Sequence, residues 1–157
     1  MKVKLGVVDT TFSRVDMAGA ALSELAKLPG VVVKRRTVPG IKDLAVECMR
    51  LLEGGCDACL ALGWVGGADI DHLCAHEASL GIQLAKLLAG KHIVEAFIQE
   101  SESKDEDELA EMARDRSRKH ALNAYLLVAK PEELTKQAGN GLRQGRGNVG
   151  PIKGRRK

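Results

Sequence analysis

The chain has 157 residues, 45% hydrophobic and 29% charged, which is the balance of one ordinary soluble domain. A chain of this length buries about 70% of the surface it exposes when unfolded, so it needs no disulfide or metal staple, and no apolar run nears the ~18 residues that span a membrane. The net charge of +3 is unevenly placed: Arg143, Arg146, Lys153, Arg155, Arg156 and Lys157 fall in residues 139–157 with no acid among them, which leaves the body mildly acidic.

Residues 3–8 are a short β-branched run and read as a strand. Asp16 can cap a helix to about residue 28, with Met17, Ala21, Leu25 and Leu28 on one face and Pro29-Gly30 as its stop. Residues 31–38 form the second strand. After the Pro39-Gly40 turn, residues 41–53 have helical spacing through Leu44, Cys48, Leu51 and Leu52. Residues 57–62 are the third strand, followed by a loop, Gly63-Trp64-Val65-Gly66-Gly67. A helix over residues 70–89 should turn Leu73, Leu80, Leu84 and Leu87 inward. Residues 92–98 are the fourth strand. The acidic stretch 99–108 suits a loop and the negative first turn of a helix running to about Val128, and Pro131 opens a short last helix.

Strands alternating with helices imply a parallel sheet covered on both faces, a single three-layer α/β domain over residues 1–138. Residues 139–157, rich in Gly and Arg and without apolar periodicity, read as a tail that is mobile or ordered only by a partner. The N-terminus Met1-Lys2-Val3-Lys4 has no signal-peptide layout, so a cytoplasmic protein with its four cysteines reduced is expected.

In such sheets ligands bind beyond the carboxyl ends of the strands. Of only four aromatics, Phe12 and Trp64 fall on those loops. They suit stacking on a flat heterocycle, or else local packing or a subunit contact. Asp43 could accept hydrogen bonds from a polyol, or simply be a first-turn acid that suits the helix dipole. His72 and His76 lie one turn apart beside Glu77. The pair lacks the Glu of the zinc-protease pattern, so no metal site is assigned; either histidine could be a general base or a hydrogen-bonded structural residue. Cys56-Asp57-Ala58-Cys59 follows Gly54-Gly55 and enters a strand, not a helix N-terminus, so it is not a redox pair and Cys59 belongs in the core. Gly139-Asn140-Gly141-Leu142-Arg143-Gln144-Gly145 has the wrong spacing for a dinucleotide fingerprint.

Four segments in order along the chain carry a resemblance. Residues 6–18, including Asp9-Thr10-Thr11-Phe12-Ser13-Arg14, the turn Thr37-Val38-Pro39-Gly40-Ile41-Lys42-Asp43-Leu44, the helix start Cys74-Ala75-His76-Glu77-Ala78-Ser79-Leu80-Gly81, and Gly141-Leu142-Arg143-Gln144-Gly145 resemble archaeal-type riboflavin synthases. Phe12, the 38–43 turn, Ala61-Leu62-Gly63 and His76-Glu77-Ala78 are also similar to lumazine synthases. The resemblance implies a flavodoxin-like, lumazine synthase-like fold with a four-stranded parallel sheet. It further implies a homopentamer with active sites between neighbouring subunits. One departure is informative. Lumazine synthases hold a phosphate on an Arg-Gly-x-Thr segment after the third strand, whereas here Trp64-Val65-Gly66-Gly67-Ala68-Asp69 offers neither a basic group nor a hydroxyl.

The implied reaction is the dismutation of two 6,7-dimethyl-8-ribityllumazine molecules to riboflavin and 5-amino-6-ribitylaminouracil. It needs no redox cofactor; the family allows a divalent ion such as Mg2+ to assist, and the sequence has no clear ligand cluster for one. By this resemblance Phe12 stacks on one ring, and Thr11 lies beside it on the same loop. Val38, Pro39, Gly40, Ile41, Lys42 and Asp43 bind a ribityl chain, and Leu62, Gly63 and Trp64 line the ring pocket. His72, His76 or Glu77 moves the proton. Rival readings are lumazine synthase, a non-catalytic flavin- or lumazine-binding protein, and nucleic-acid binding through the basic tail. The last is disfavoured by the acidic body and the absence of aromatics among the tail's arginines.

Overall fold

The computed structural model describes residues 1–154. Arg155, Arg156 and Lys157 of the basic tail lie outside the described residues. The elements follow in the order β1 (Val3–Thr10), α1 (Met17–Leu25), β2 (Val31–Val38), α2 (Leu44–Glu53), β3 (Ala58–Val65), α3 (Asp69–Ala89), β4 (Ile93–Gln99), α4 (Glu106–Ala129) and α5 (Pro131–Gln137), with short 3-10 turns at Ile41–Asp43 and Glu100–Glu102. The sheet order is β2-β1-β3-β4 and every neighbouring pair is parallel, so the expected four-stranded α/β fold is present.

The central strands set the layers. Every residue of β3 is buried, and so is all of β1 except Lys4. Side chains alternate across a strand. Leu60, Leu62 and Trp64 therefore enter a core roofed by α1 and α4, whereas Cys59 and Ala61 enter a second core roofed by α2 and α3. Both faces of the sheet are covered, which is the condition for a stable parallel sheet. Close approach demands glycine at position 6, where a Cβ would lie 2.6 Å from Cys59 Sγ. Asp16 caps α1 by accepting from the Gly19 amide at 2.9 Å, and Gly90, at φ 60°, ends α3. No helix of the described residues is long and apolar enough to cross a membrane.

Three expectations are corrected. Strand β3 runs through Val65, so Trp64 is on a strand and 2% exposed, not on a loop. Glycine at 63 does not break the strand, because β4 pairs alongside it through Phe97. Helix α1 stops at Leu25, where the chain turns before Pro29-Gly30.

The third correction is the largest. On α3, Leu73, Leu80, Leu84 and Leu87 are 57–81% exposed; Ala75, Ala78, Ile82 and Ala85 are the buried face. The helix lies close to its neighbours on small residues and turns its leucines outward. Periodicity reports which face is apolar, and the largest apolar side chains are normally assigned inward. Here that rule picks the wrong side.

The C-terminal segment is also better tied than a tail. Residues 139–154 carry no helix or strand, yet Gly145 O accepts from Arg116 at 3.2 Å and the Val149 amide donates to Gly141 O at 3.0 Å.

Candidate active site

The carboxyl ends of β1, β2 and β3 open onto a hollow of about 460 Å³. Its wall includes Phe12, Pro39, Gly40, Ile41, Asp43 and Trp64, all anticipated from the sequence, together with Val65, Gly66, Asp71 and Cys74, which were not. Phe12 is 54% exposed on the loop after β1 and belongs to neither core, an unusual exposure for an aromatic. The loop is seated on the next strand end: the Thr11 amide donates to Val38 O at 2.9 Å and Thr11 Oγ1 donates to Pro39 O at 3.2 Å.

Thr11 and Val38 thus act by shaping the rim; Val38 is itself buried. Asp43 stands at the N-terminal end of α2 but makes no capping hydrogen bond, so its carboxylate is free to accept from a ligand hydroxyl. Lys42 points elsewhere. Its Nζ lies 2.5 Å from Glu77 Oε2. That hydrogen bond raises the Lys42 ammonium above its ordinary value and holds the Glu77 carboxyl below its own. Leu62 is fully buried beneath α1 and α4 and does not reach the hollow. Gly63 is packed against Phe97 and Ile41, where a Cβ would lie 2.5 Å from the Phe97 ring; it lets those side chains meet and does not face the ligand space. Trp64 reaches the wall, but its indole is in the core and donates from Nε1 to Glu100 Oε1 at 2.8 Å.

The three proton-transfer candidates lie outside this wall. His72 is half-buried; His76 and Glu77 are exposed, and Glu77 is committed to Lys42. No group of three or more metal-ligating side chains forms among the described residues. Asp71 Oδ2 accepts from the Ala68 amide at 3.0 Å and so occupies the start of α3 with negative charge. A phosphate bound at a helix N-terminus uses those amides and that positive end. Here one of those amides, that of Ala68, is already taken by a carboxylate at that positive end.

A second hollow, about 500 Å³ and strongly polar, runs along the free edge of β4. Glu95, Phe97 and Gln99 line it from the strand, Arg116 and His120 from α4, and Gln144 and Arg146 from the C-terminal segment. Arg116, 7% exposed, is its hub: it donates to both carboxylate oxygens of Glu102 at 2.8 and 2.7 Å, to Phe97 O at 2.7 Å and to Gly145 O. Burial alone would push the Glu102 carboxyl up, but hydrogen bonds from Arg116 and Gln99 outweigh it and the net shift is downward. Burial raises the Glu95 carboxyl, whose Oε2 has no partner, and lowers His120, whose Nδ1 lies 2.8 Å from Arg116 O. None of this was legible in the chain order. The one signal was the Gly141–Gly145 segment itself, a glycine-rich stretch too polar for a core and too patterned for a linker.

Comparison with known proteins agrees with the geometry. A family model described as 6,7-dimethyl-8-ribityllumazine synthase matches residues 2–132. The riboflavin synthase of Methanothermobacter thermautotrophicus is 48% identical over 152 residues, covering 96% of this chain and 99% of the relative. That of Archaeoglobus fulgidus is 44% identical over 151 residues, covering 96% and 99%, and that of Aeropyrum pernix 46% over 151 residues, covering 95% and 97%. With the parallel sheet, the aromatic rim and a match over most of its length, the chain belongs to the 6,7-dimethyl-8-ribityllumazine synthase family.

Proposed function

We propose that the chain is a riboflavin synthase, a transferase of riboflavin biosynthesis that converts two 6,7-dimethyl-8-ribityllumazine molecules to riboflavin and 5-amino-6-ribitylaminouracil. The observation that carries this reading is the rim itself. An exposed Phe12 offers a flat face, and the end of β3, the turn after it and the first turn of α3 present Val65, Gly66 and the capping carboxylate of Asp71. That surface favours an uncharged ring and disfavours a phosphorylated four-carbon substrate, which separates the reading from lumazine synthase. Relatives of the same name matched end to end support it. Asp43 and the backbone of the 39–41 turn bind a ribityl chain. The reacting methyl and the leaving uracil belong to the substrates, so the protein's task is to hold two rings in register; such orientation supplies several kcal/mol of a barrier. The chemistry requires no redox cofactor, and a divalent ion such as Mg2+ would act only as an accessory.

The active unit in this reading is a cytoplasmic homopentamer. Ile70, Leu73, Leu80, Leu84 and Leu87 recur at steps of three, seven, four and three on the outer face of α3, all more than half exposed. Such a seam is normally buried against another helix, and a second copy of the same chain is the partner proposed. Leu84→Lys is expected to leave the helical content unchanged and shift the protein to a smaller species in sedimentation velocity. Each buried leucine contributes about 1.5–3 kcal/mol to such a contact. An unchanged sedimentation coefficient would remove α3 from the interface.

The reaction is tested by incubating the protein with 6,7-dimethyl-8-ribityllumazine as sole substrate. Riboflavin fluorescence with an equal yield of the pyrimidine is expected. Stoichiometric binding without turnover would overturn the synthase reading.

A further inference from the structure

The Phe12 loop is tied to β2 through Thr11, but its far end has a different anchor. Arg14, two residues on, is half-exposed and reaches away from the β2 side to two carboxylates. Its Nη1 donates to Glu100 Oε1 at 3.3 Å, and its Nη2 pairs with Glu106 in the first turn of α4. The same Glu100 oxygen accepts the Trp64 indole N–H at 2.8 Å. On its other side Glu100 sits beside Gly67, where a Cβ would lie 3.9 Å from Oε2. One carboxylate, the first residue past β4, therefore bonds to the loop after β1 and the end of β3 and lies near the turn into α3.

We propose that Glu100 is a positioning residue: through Arg14 it holds the Phe12 loop, and through the Trp64 indole it holds the end of β3, so that the two walls of the hollow keep a set separation. This rests on the reading that Phe12 stacks a lumazine ring. The physical case is one of preorganisation. A half-exposed aromatic on a loop anchored at one end only must be ordered when the ligand arrives, and that cost is subtracted from affinity. Anchoring both ends places the cost in folding instead. The bonds join residue 100 to residues 64 and 14, and residue 14 to residue 106, across long stretches of sequence, so no local turn preference could substitute for them.

Two variants separate positioning from simple packing. Glu100→Gln keeps an oxygen for the indole N–H and loses the charge that Arg14 meets. Arg14→Met removes the arm at an exposed position and leaves Trp64 untouched. Both proteins are assayed for KM and kcat with 6,7-dimethyl-8-ribityllumazine, for riboflavin affinity, for thermal midpoint, and for emission of Trp64, the only tryptophan of the chain. Each single variant is expected to raise KM and weaken riboflavin binding about tenfold, the scale of one ordered side chain or loop. The thermal midpoint should move by no more than about 2 °C, because exposed ion pairs contribute little. The double variant should be no worse than Arg14→Met alone, since the Arg14–Glu100 contact that Glu100→Gln weakens is already lost there. Additive losses would mean that Arg14 touches substrate on its own account and would overturn the positioning role. So would affinities within twofold of wild type in an enzyme that turns over. If wild type neither binds nor converts the lumazine, it is the underlying functional reading that fails.

Discussion

Phe12→Ala is expected to weaken riboflavin and lumazine binding by roughly ten- to a hundredfold while the fold is retained. Stacking a flat heterocycle on an aromatic side chain is worth about 1–3 kcal/mol by alanine substitution. Phe12 is 54% exposed and belongs to neither core, so truncating it opens no cavity. The thermal midpoint should therefore stay within about 2 °C of wild type, in contrast to a core aromatic, whose loss costs about 3–5 kcal/mol. Titration of riboflavin fluorescence quenching gives the affinity directly. Phe12→Tyr or Phe12→Trp should keep most of it, because the face of the ring is what is used. Affinity equal to wild type in Phe12→Ala would place the stacking partner elsewhere.

Arg116→Met should have the opposite signature, a large loss of stability. The substitution keeps the length of the side chain and removes every donor. Glu102 loses both hydrogen bonds from its partner, and Phe97 O and Gly145 O lose theirs. Breaking one side of a buried ion pair costs about 3–5 kcal/mol, because the remaining charge stays in a poor solvent. For a domain of this size that corresponds to a fall of roughly 10 °C in Tm. Gly145, at φ +74°, packs so tightly on the guanidinium that a Cβ would lie 2.6 Å from Nε. Its release should make the 141–147 segment sensitive to limited proteolysis. The effect has a pH signature. Glu102 is held below its ordinary value of 4.5 in the folded protein. The unfolded chain therefore binds the proton first as pH falls, and the contribution of the pair, fully present above 4.5, is lost as pH drops through the depressed native value. Wild type and Arg116→Met should converge in that window and differ fully at neutral pH. A constant gap across it would assign the stability of this region to something other than the ion pair.

Helix α3 shows where reading a sequence stops. Its two apolar stripes, Leu73-Leu80-Leu84-Leu87 and Ala75-Ala78-Ile82-Ala85, have the same helical period. Size favours the leucines for the core, yet the alanines allow α3 to approach α2 and the sheet closely, and they occupy it. A face left outside the chain's own core obeys the same periodicity as a face destined for its interior. Trp64 failed for a related reason. Gly63 and the two glycines at 66 and 67 suggested a loop, but β4 pairs alongside Gly63 and Trp64 and keeps the strand going. Pairing with a distant strand is not written in the local residues.

What the sequence determined by itself was whatever depends on neighbours in the chain. Strand and helix alternation, the Asp16 cap, the Pro39-Gly40 turn and the position of Phe12 at a strand end all follow from local preference and period, and together they located the hollow. Only the tertiary structure decided which polar groups stand free there. Lys42 and Glu77 consume each other, Asp71 caps α3, and Asp43 keeps an open carboxylate. It also decided that Arg116 gathers Phe97, Glu102 and Gly145 into one network. Charge and hydrogen-bond partnership depend on distances between residues far apart in the chain, and those distances exist only once the sheet has assembled.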